Sequence, residues 1–276
     1  MAKLNQPTTS GRTASRQRKT GRRSPLATFA LIAIGLGLTG GVYAAANATP
    51  SASADSAAAT QQQVDDGEHL FQANCASCHG MNAVGTNAAP SLIGVGAAAV
   101  DFQVGTGRMP MAANGPQAEA KTPQFTDEQT AALAAYVASL APGPGIPDAS
   151  LLKGDQNAAA GAELFRINCA MCHNVAGAGG ALTEGKFAPS LQETSPVHIY
   201  EAMLTGPQNM PVFNDRNITP EQKSEIVSYL TYIQKNPSPG GFALGDLGPV
   251  AEGLFLWIFG LGSIVGLAVW ITAKAN

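Results

Sequence analysis

All four cysteines of the chain lie in two copies of one short pattern. Residues 75–79 read Cys-Ala-Ser-Cys-His, and residues 169–173 read Cys-Ala-Met-Cys-His. Two thiols at this spacing on the start of a helix can each form a thioether to one edge of a porphyrin, and the adjacent His can then ligate the iron. The pattern predicts two covalently attached haems of the c type. The predicted thioether cysteines and proximal histidines are Cys75, Cys78, His79, Cys169, Cys172 and His173.

Two other kinds of site also use a Cys-x-x-Cys pair. A redox dithiol of the thioredoxin type needs no His directly after the second cysteine. A structural zinc site needs two further ligands at a finger-like spacing. Because a His follows directly in both copies, the haem interpretation is favoured over both alternatives.

A sixth iron ligand is predicted from a Met-Pro dipeptide downstream of each motif, which contributes Met109 and Met210. A thioether ligand stabilises reduced iron and raises the haem potential. In the first copy Met111 is an alternative, because aligning the two copies at their Thr-Gly pairs matches Met111 to Met210. The proline after Met109 restrains the loop and favours that residue. A haem with two His ligands, through His69 or His198, is a further alternative.

The rest of the sequence lacks the patterns of a substrate-converting enzyme. It shows no nucleophile–base constellation, no phosphate-binding glycine loop and no additional metal cluster. An iron with six ligands cannot bind oxygen or peroxide and can only exchange electrons. Electron transfer is therefore the predicted chemistry.

The two motifs belong to an internal repeat. Each copy has matching segments before the cysteines, at an Ala-Pro-Ser-Leu stretch, and in a closing helix that begins after a threonine cap. Apolar residues recur at helical spacing in the closing helices, predicted at 127–140 and 220–234. The matching pairs of segments are 67–76 with 161–170, 89–92 with 188–191, and 126–136 with 219–229.

The predicted fold class is all-α, with two tandem mono-haem cytochrome c domains. We place the first domain at residues 64–140 and the second at 154–235. Residues 141–153 form a linker that begins Ala-Pro-Gly-Pro-Gly. A flexible linker rich in Ala, Ser, Thr and Gln precedes the first domain at 47–63.

Both ends of the chain contain long uncharged stretches. Residues 26–46 are long enough to span a bilayer and also resemble the apolar part of a signal peptide, so a retained anchor and a cleaved signal both remain open. After a Gly/Pro-rich segment at 236–249, residues 250–273 are predicted to form a transmembrane helix. Trp257 and Trp270 lie near its ends, at interface depth.

Charge is unevenly distributed along the chain. Residues 1–25 contain seven Lys or Arg and no acid, which predicts a cytoplasmic tail before the apolar stretch and places the haem domains on the outer face of the cell membrane. Residues 65–235 contain 16 acidic and eight basic side chains. This excess of acid argues against binding to nucleic acid.

The order of these parts resembles the dihaem cytochrome c subunit of the actinobacterial menaquinol–cytochrome c reductase, the cytochrome bcc complex. The most specific stretch is 240–249, Gly-Gly-Phe-Ala-Leu-Gly-Asp-Leu-Gly-Pro, followed by Glu252 and the apolar helix. The resemblance implies an electron-transfer subunit of a translocase, with no substrate-converting site of its own. The implied partners are a cytochrome b subunit, a Rieske iron–sulfur subunit, a haem–copper oxidase and membrane lipid.

The resemblance also implies a direction. The Rieske protein would pass electrons to the haem of residues 75–79, and the haem of residues 169–173 would pass them to the copper centre of the oxidase. A membrane-anchored dihaem electron-transfer subunit of another oxidase or dehydrogenase is the alternative. A dihaem peroxidase would need an exchangeable sixth position on one iron, which the paired Met-Pro dipeptides disfavour.

Overall fold

The structure is a computed structural model that describes residues 25–47, 59–113, 115–236, 244 and 249–274. The predicted basic tail, except for its last residue, lies outside these residues, as do most of the 47–63 linker and most of the 236–249 segment. The described part confirms the predicted all-α fold, with one small antiparallel ribbon added.

Helix α1 belongs to a unit of its own at the start of the chain. It spans Pro25–Asn47, within which the apolar part covers Pro25–Gly41. Its side chains are exposed as far as Gly41. The structure therefore confirms a helix in the predicted apolar stretch.

The two domains repeat the same helical plan. The helices of the first domain are α2 (Gln61–Asn74), α3 (Ala76–His79), α4 (Gly96–Gly105) and α5 (Asp127–Leu140). The second domain begins with a 3₁₀ turn at Ala149–Leu152. Its remaining elements are α6 (Ala158–Asn168), α7 (Ala170–His173), β1 (Gly180–Ala181), β2 (Phe187–Ala188), α8 (Pro196–Thr205) and α9 (Pro220–Lys235).

A close crossing of the first and last helices holds each domain together. At Gly67 on α2 an added Cβ would collide with the carbonyl oxygen of Ala132 on α5. At Gly161 on α6 it would collide with the carbonyl oxygen of Glu225 on α9. Only glycine allows the two backbones to approach this closely.

Equivalent aromatic pairs fill the space beside the two crossings. Phe71 and Tyr136 have ring centroids 5.3 Å apart, and Phe165 and Tyr229 have centroids 5.4 Å apart. Both phenylalanines are only 1 % exposed. Each domain therefore has a small apolar core of its own, centred on one phenylalanine.

The threonine caps predicted for the closing helices are confirmed. The Thr126 hydroxyl accepts a hydrogen bond from the Gln129 backbone N–H, and the Gln129 side chain accepts one from the Thr126 N–H. Thr219 and Gln222 form the same reciprocal pair at the start of α9. Such capping boxes satisfy backbone donors that the first helical turn leaves unpaired.

The two domains contact each other through α4 and α8. The side chain of Gln117 also pairs with the backbone of Phe187, donating to its carbonyl and accepting from its N–H at 2.9 Å each. The connection between the domains is itself packed, because Ala98 N–H donates to Pro144 and Ser224 donates to the Leu151 carbonyl. The second domain therefore packs directly against the first.

A continuous apolar helix ends the described chain. It comprises α10 (Pro249–Phe255), a π-helical turn (Leu256–Leu261) and α11 (Gly262–Lys274). Within Ala251–Lys274, an 18-residue stretch has a mean hydropathy of 2.3, and none of that stretch is buried. A helix of this length with apolar side chains on every face is suited to span a membrane.

Candidate haem sites

The two Cys-x-x-Cys-His segments adopt the same local conformation. In each, the preceding helix ends at an asparagine, and the next cysteine has φ near −120°, so the chain bends into the short helix α3 or α7. The backbone N–H of His79 donates to the carbonyl of Cys75 at 2.9 Å, and His173 donates to Cys169 at the same distance. The bend sets the histidine one turn after the first cysteine.

Each histidine is held by the proline of the Ala-Pro-Ser-Leu stretch. His79 Nδ1 lies 2.8 Å from the carbonyl oxygen of Pro90, and His173 Nδ1 lies 3.0 Å from that of Pro189. A carbonyl can only accept, so Nδ1 carries the proton and Nε2 keeps its lone pair for a metal. Burial lowers the pKa of His173, which favours the neutral ligand form. This contact gives the repeated stretch a role that the sequence alone did not show.

The described cysteines form no disulfide bond. Burial, followed by the charge of the neighbouring cysteine, raises the pKa of Cys75 and of Cys169 to about 11. A reactive redox dithiol needs a lowered thiol pKa. The surroundings therefore disfavour the dithiol alternative for both motifs.

The second motif opens onto a cavity of about 500 Å³. Cys169, Cys172, His173 and Met210 all line this cavity, so the structure brings together the four residues predicted to hold one haem. Two thiols for covalent attachment, and an imidazole and a thioether as iron ligands, around an apolar space are the groups that a c-type haem requires. The residues present therefore fit the group.

Part of this cavity wall comes from the first domain. Its contribution consists of residues on α4 and on the loop that follows it: Phe102, Gly105, Thr106, Arg108, Gln117 and Ala120. The second site is thus built from both domains, an arrangement that the sequence repeat did not predict.

In the first domain the packing separates the two candidate methionines. Met109 and Cys75 pack against the same core cluster, the one that contains Phe71. Met111 instead lines a smaller cavity of about 160 Å³ beside Lys121. This packing favours Met109, and the Met–iron bond itself stays a prediction.

The two spare histidines have different surroundings. His69 is exposed on α2. His198 lines the second cavity, but its Nε2 lies 3.8 Å from Asp101, and its ring meets Phe102 edge-on at 6.0 Å. His198 is therefore engaged at the contact between the domains.

Arg108 is a site residue that the sequence analysis missed. It is 8 % exposed, its guanidinium lies 4.7 Å from the centre of the Phe102 ring, and it lines the second cavity. Within the described ranges no carboxylate lies within ion-pair distance of it. A buried guanidinium at the edge of a haem cavity suits a propionate group. The available signal was the basic residue directly before Met109, where the second repeat has Asn209.

The chain was compared with known proteins. The family described as "Cytochrome C oxidase, cbb3-type, subunit III" matches residues 62–137 and again 156–230. A protein of Corynebacterium efficiens named "Cytochrome bc1 complex cytochrome c subunit" is 44 % identical over 261 residues, covering 88 % of both chains. A protein of the same name from Mycobacterium bovis is 42 % identical over 284 residues, covering 100 % of both.

A third relative of that name, from Mycobacterium leprae, is 43 % identical over 256 residues, which cover 89 % of this chain and 87 % of its own. The similarity therefore extends over both domains and beyond them. Two matched cytochrome domains, each with its own Cys-x-x-Cys-His segment, agree with the predicted repeat. The chain belongs to the family of cytochrome c subunits of the cytochrome bc1 complex.

Proposed function

We propose that this chain is the dihaem cytochrome c subunit of a respiratory menaquinol–cytochrome c reductase. In this proposal it relays electrons from a Rieske iron–sulfur protein through two haems to a haem–copper oxidase. The supporting observation is that residues of both domains line the second haem cavity, so the two haem-binding domains are in direct contact. Such contact suits electron transfer from one site to the other.

Each domain supplies the same set of holding groups. Cys75 and Cys78 would attach the first haem, and Cys169 and Cys172 would attach the second. Nε2 of each motif histidine would bind the iron, while the proline carbonyl holds the ring through Nδ1. Met109 and Met210 would supply the second protein ligand of each iron and so exclude small ligands. A haem held in this way supplies one-electron exchange at its iron.

Carrying both sites on one chain replaces a diffusing carrier by a tethered one. Two centres in contacting domains have a high effective concentration for each other. The direction, from the first haem at the Rieske protein to the second at the oxidase, is supported by the family resemblance. The acidic surface of residues 65–235 would favour docking partners with basic patches.

The proposed location is the cell membrane, with the haem domains on its outer face. The C-terminal helix Ala251–Lys274 supplies the anchor and contacts lipid. The basic N-terminal residues support the orientation through the positive-inside rule. A cytochrome b subunit is the third proposed partner, and no nucleic-acid partner is proposed.

Haem counting tests the cofactor part of the proposal. Alkaline pyridine spectra of the purified chain should give two covalently bound haems, and Cys169→Ala should impair attachment of one of them. Matched replacement of Cys75 should impair only the other. Fewer than two haems in the unmodified chain, or two intact haems in Cys169→Ala, would contradict the proposal.

Subunit identification tests the partners. Gentle detergent extraction should co-purify the chain with a cytochrome b, a Rieske protein and a haem–copper oxidase. The alternative is a dihaem subunit of another oxidase or dehydrogenase, which the description of the matched cbb3 family favours. Co-purification with an oxidase or dehydrogenase but without cytochrome b and Rieske protein would support that alternative.

A further inference from the structure

Three metal-binding side chains meet where the two domains touch. Asp101 lies on α4 of the first domain, while His198 and Glu201 lie on α8 of the second. One ligand atom from each residue falls within 4.8 Å of those of the other two. His198 and Glu201 are three residues apart, so they share one face of their helix. We call these three residues the interdomain cluster.

Glu201 is the unusual member of the interdomain cluster. Its side chain is 0 % exposed, and neither carboxylate oxygen has a hydrogen-bond partner. Burial, followed by the charge of Asp101, raises the pKa of Glu201 to about 10. The buried Glu201 carboxyl lies beside the carboxyl group of Asp101, so either a shared proton or a bound cation is needed between the two.

Neither of the two buried cations among the described residues satisfies that need. Arg108 is the nearby basic side chain, and it lies over the Phe102 ring instead of forming an ion pair. The other deeply buried cation, Lys223, pairs with Asp215 at 2.5 Å. Neither Arg108 nor Lys223 therefore forms an ion pair with an acid of the interdomain cluster, and the His198 imidazole lies beside Asp101.

We propose that the interdomain cluster binds a divalent transition-metal ion of the zinc type, which bridges the two domains. Carboxylate oxygens and imidazole nitrogens both bind such an ion, and a water molecule can take the fourth position beside three protein ligands. A charge of +2 balances the two carboxylates. The side chains of Asp101 and His198 are 22 % and 20 % exposed, which leaves a path for the ion to enter.

The bound ion ties α4 to α8. These are the helices that precede Met109 and Met210 in their respective domains. The two helices already approach closely, since a Cβ added at Gly105 would lie 3.1 Å from His198 Nε2. The ion thus fixes the contact that forms part of the second cavity wall. This inference depends on the interdomain cluster alone and not on the assignment of either iron ligand.

The test uses the full-length chain in detergent with its haems attached and without a polyhistidine tag. After chelator treatment, the protein is titrated with zinc chloride, and bound zinc is measured per chain after gel filtration. Glu201→Gln and Asp101→Asn each remove one ligand, while Glu163→Gln changes an exposed carboxylate on α6 as the matched control. Haem content per chain checks that each variant is folded.

We expect the unmodified chain and Glu163→Gln each to retain one zinc ion that the two cluster variants do not retain. Loss of a direct ligand should weaken binding by at least about tenfold, since losing even an outer partner of a ligand costs that much. If Glu201→Gln fails to fold, Asp101→Asn, at a partly exposed position, still gives the answer. Zinc-edge absorption should show nitrogen and oxygen neighbours at about 2.0–2.2 Å.

Three results would overturn the inference. The first is no zinc retained by the unmodified chain, which would leave Glu201 as a protonated acid. The second is equal zinc binding by the unmodified chain and both cluster variants. The third is a zinc–sulfur distance of about 2.3 Å, which would place the ion at cysteines instead.

Discussion

The two cytochrome domains hold their motifs alike and enclose them differently. In both, a glycine crossing, a Phe–Tyr pair and a proline carbonyl position the Cys-x-x-Cys-His segment. Met109 and Met210 each pack on the core of their own domain, but the cavity of the second site is closed partly by Phe102, Arg108 and Gln117 of the first domain. The residues that would attach the haem lie close together in the sequence and occur in both repeats. The walls of the second cavity depend in part on the neighbouring domain.

A second difference lies inside the closing helices. Lys223 follows the capping box of α9, is 0 % exposed and pairs with Asp215, whereas the matching residue of α5 is the buried Thr130. A buried lysine must be neutralised by a partner. The second domain therefore depends on one ion pair that the first domain does not need.

Removal of the proposed iron ligands should have the largest effect. Met109→Ala and Met210→Ala should each abolish about half of the Met–iron charge-transfer band and lower the potential of one haem only, because the thioether stabilises reduced iron. Redox titration followed by visible spectroscopy measures both. Met111→Ala is the control, and a loss of band there with Met109→Ala unaffected would reverse the ligand assignment.

Substitution of the glycine at either helix crossing should destabilise its domain, and by a similar amount in both. Gly67→Ala and Gly161→Ala should each cost about 3 kcal/mol or more, because the added methyl meets a backbone carbonyl that cannot move aside. Urea unfolding followed by circular dichroism measures the loss. Gly145→Ala serves as the control, since nothing lies within 4 Å of the added carbon. Unequal effects at the two crossings would show that the domains differ in more than their cavity walls.

The buried lysine should make the second domain selectively sensitive. Asp215→Asn should lower the free energy of unfolding by about 2 kcal/mol, because it leaves the Lys223 charge buried without a partner. Adding Lys223→Met should recover much of the loss, since the charge is then removed as well. Glu163→Gln is the surface control. A double variant as unstable as Asp215→Asn alone would contradict the role of the pair.

Substitution of Arg108 should have the smallest effect, but it tests most directly whether the first domain contributes to the second haem site. Arg108→Gln should lower the potential of the second haem by tens of millivolts, below the 59 mV that corresponds to about tenfold for one electron. The reason is that a lost positive charge favours the oxidised iron. A chain with both Cys169 and Cys172 changed to Ala keeps only the first haem and should show a smaller shift, since the Arg108 guanidinium lines the second cavity. A shift confined to the first haem would disprove the cross-domain contact.

Several features of the site were predictable from particular residues. The repeated cysteine motif and the threonine caps involve residues that are close together in the sequence, so their spacing carries the information. The terminal apolar helix was predictable for the same reason. The Ala-Pro-Ser-Leu stretch was recognisable as a repeat, but its contact with the motif histidine was not. The interdomain cluster was not predictable, because Asp101 lies 97 residues before His198 in the sequence.

The sequence by itself determined the attachment chemistry, the duplication and the apolar end of the chain, because each depends on covalent spacing or on local hydrophobic pattern. Only the tertiary structure decided which methionine joins the first core, which arginine reaches the second cavity, and which side chains meet between α4 and α8. The first of these outcomes depends on how the loop after α4 folds back on its own domain, and the other two depend on how the two folded domains pack. No short-range pattern encodes either, since the residues in contact are far apart in sequence.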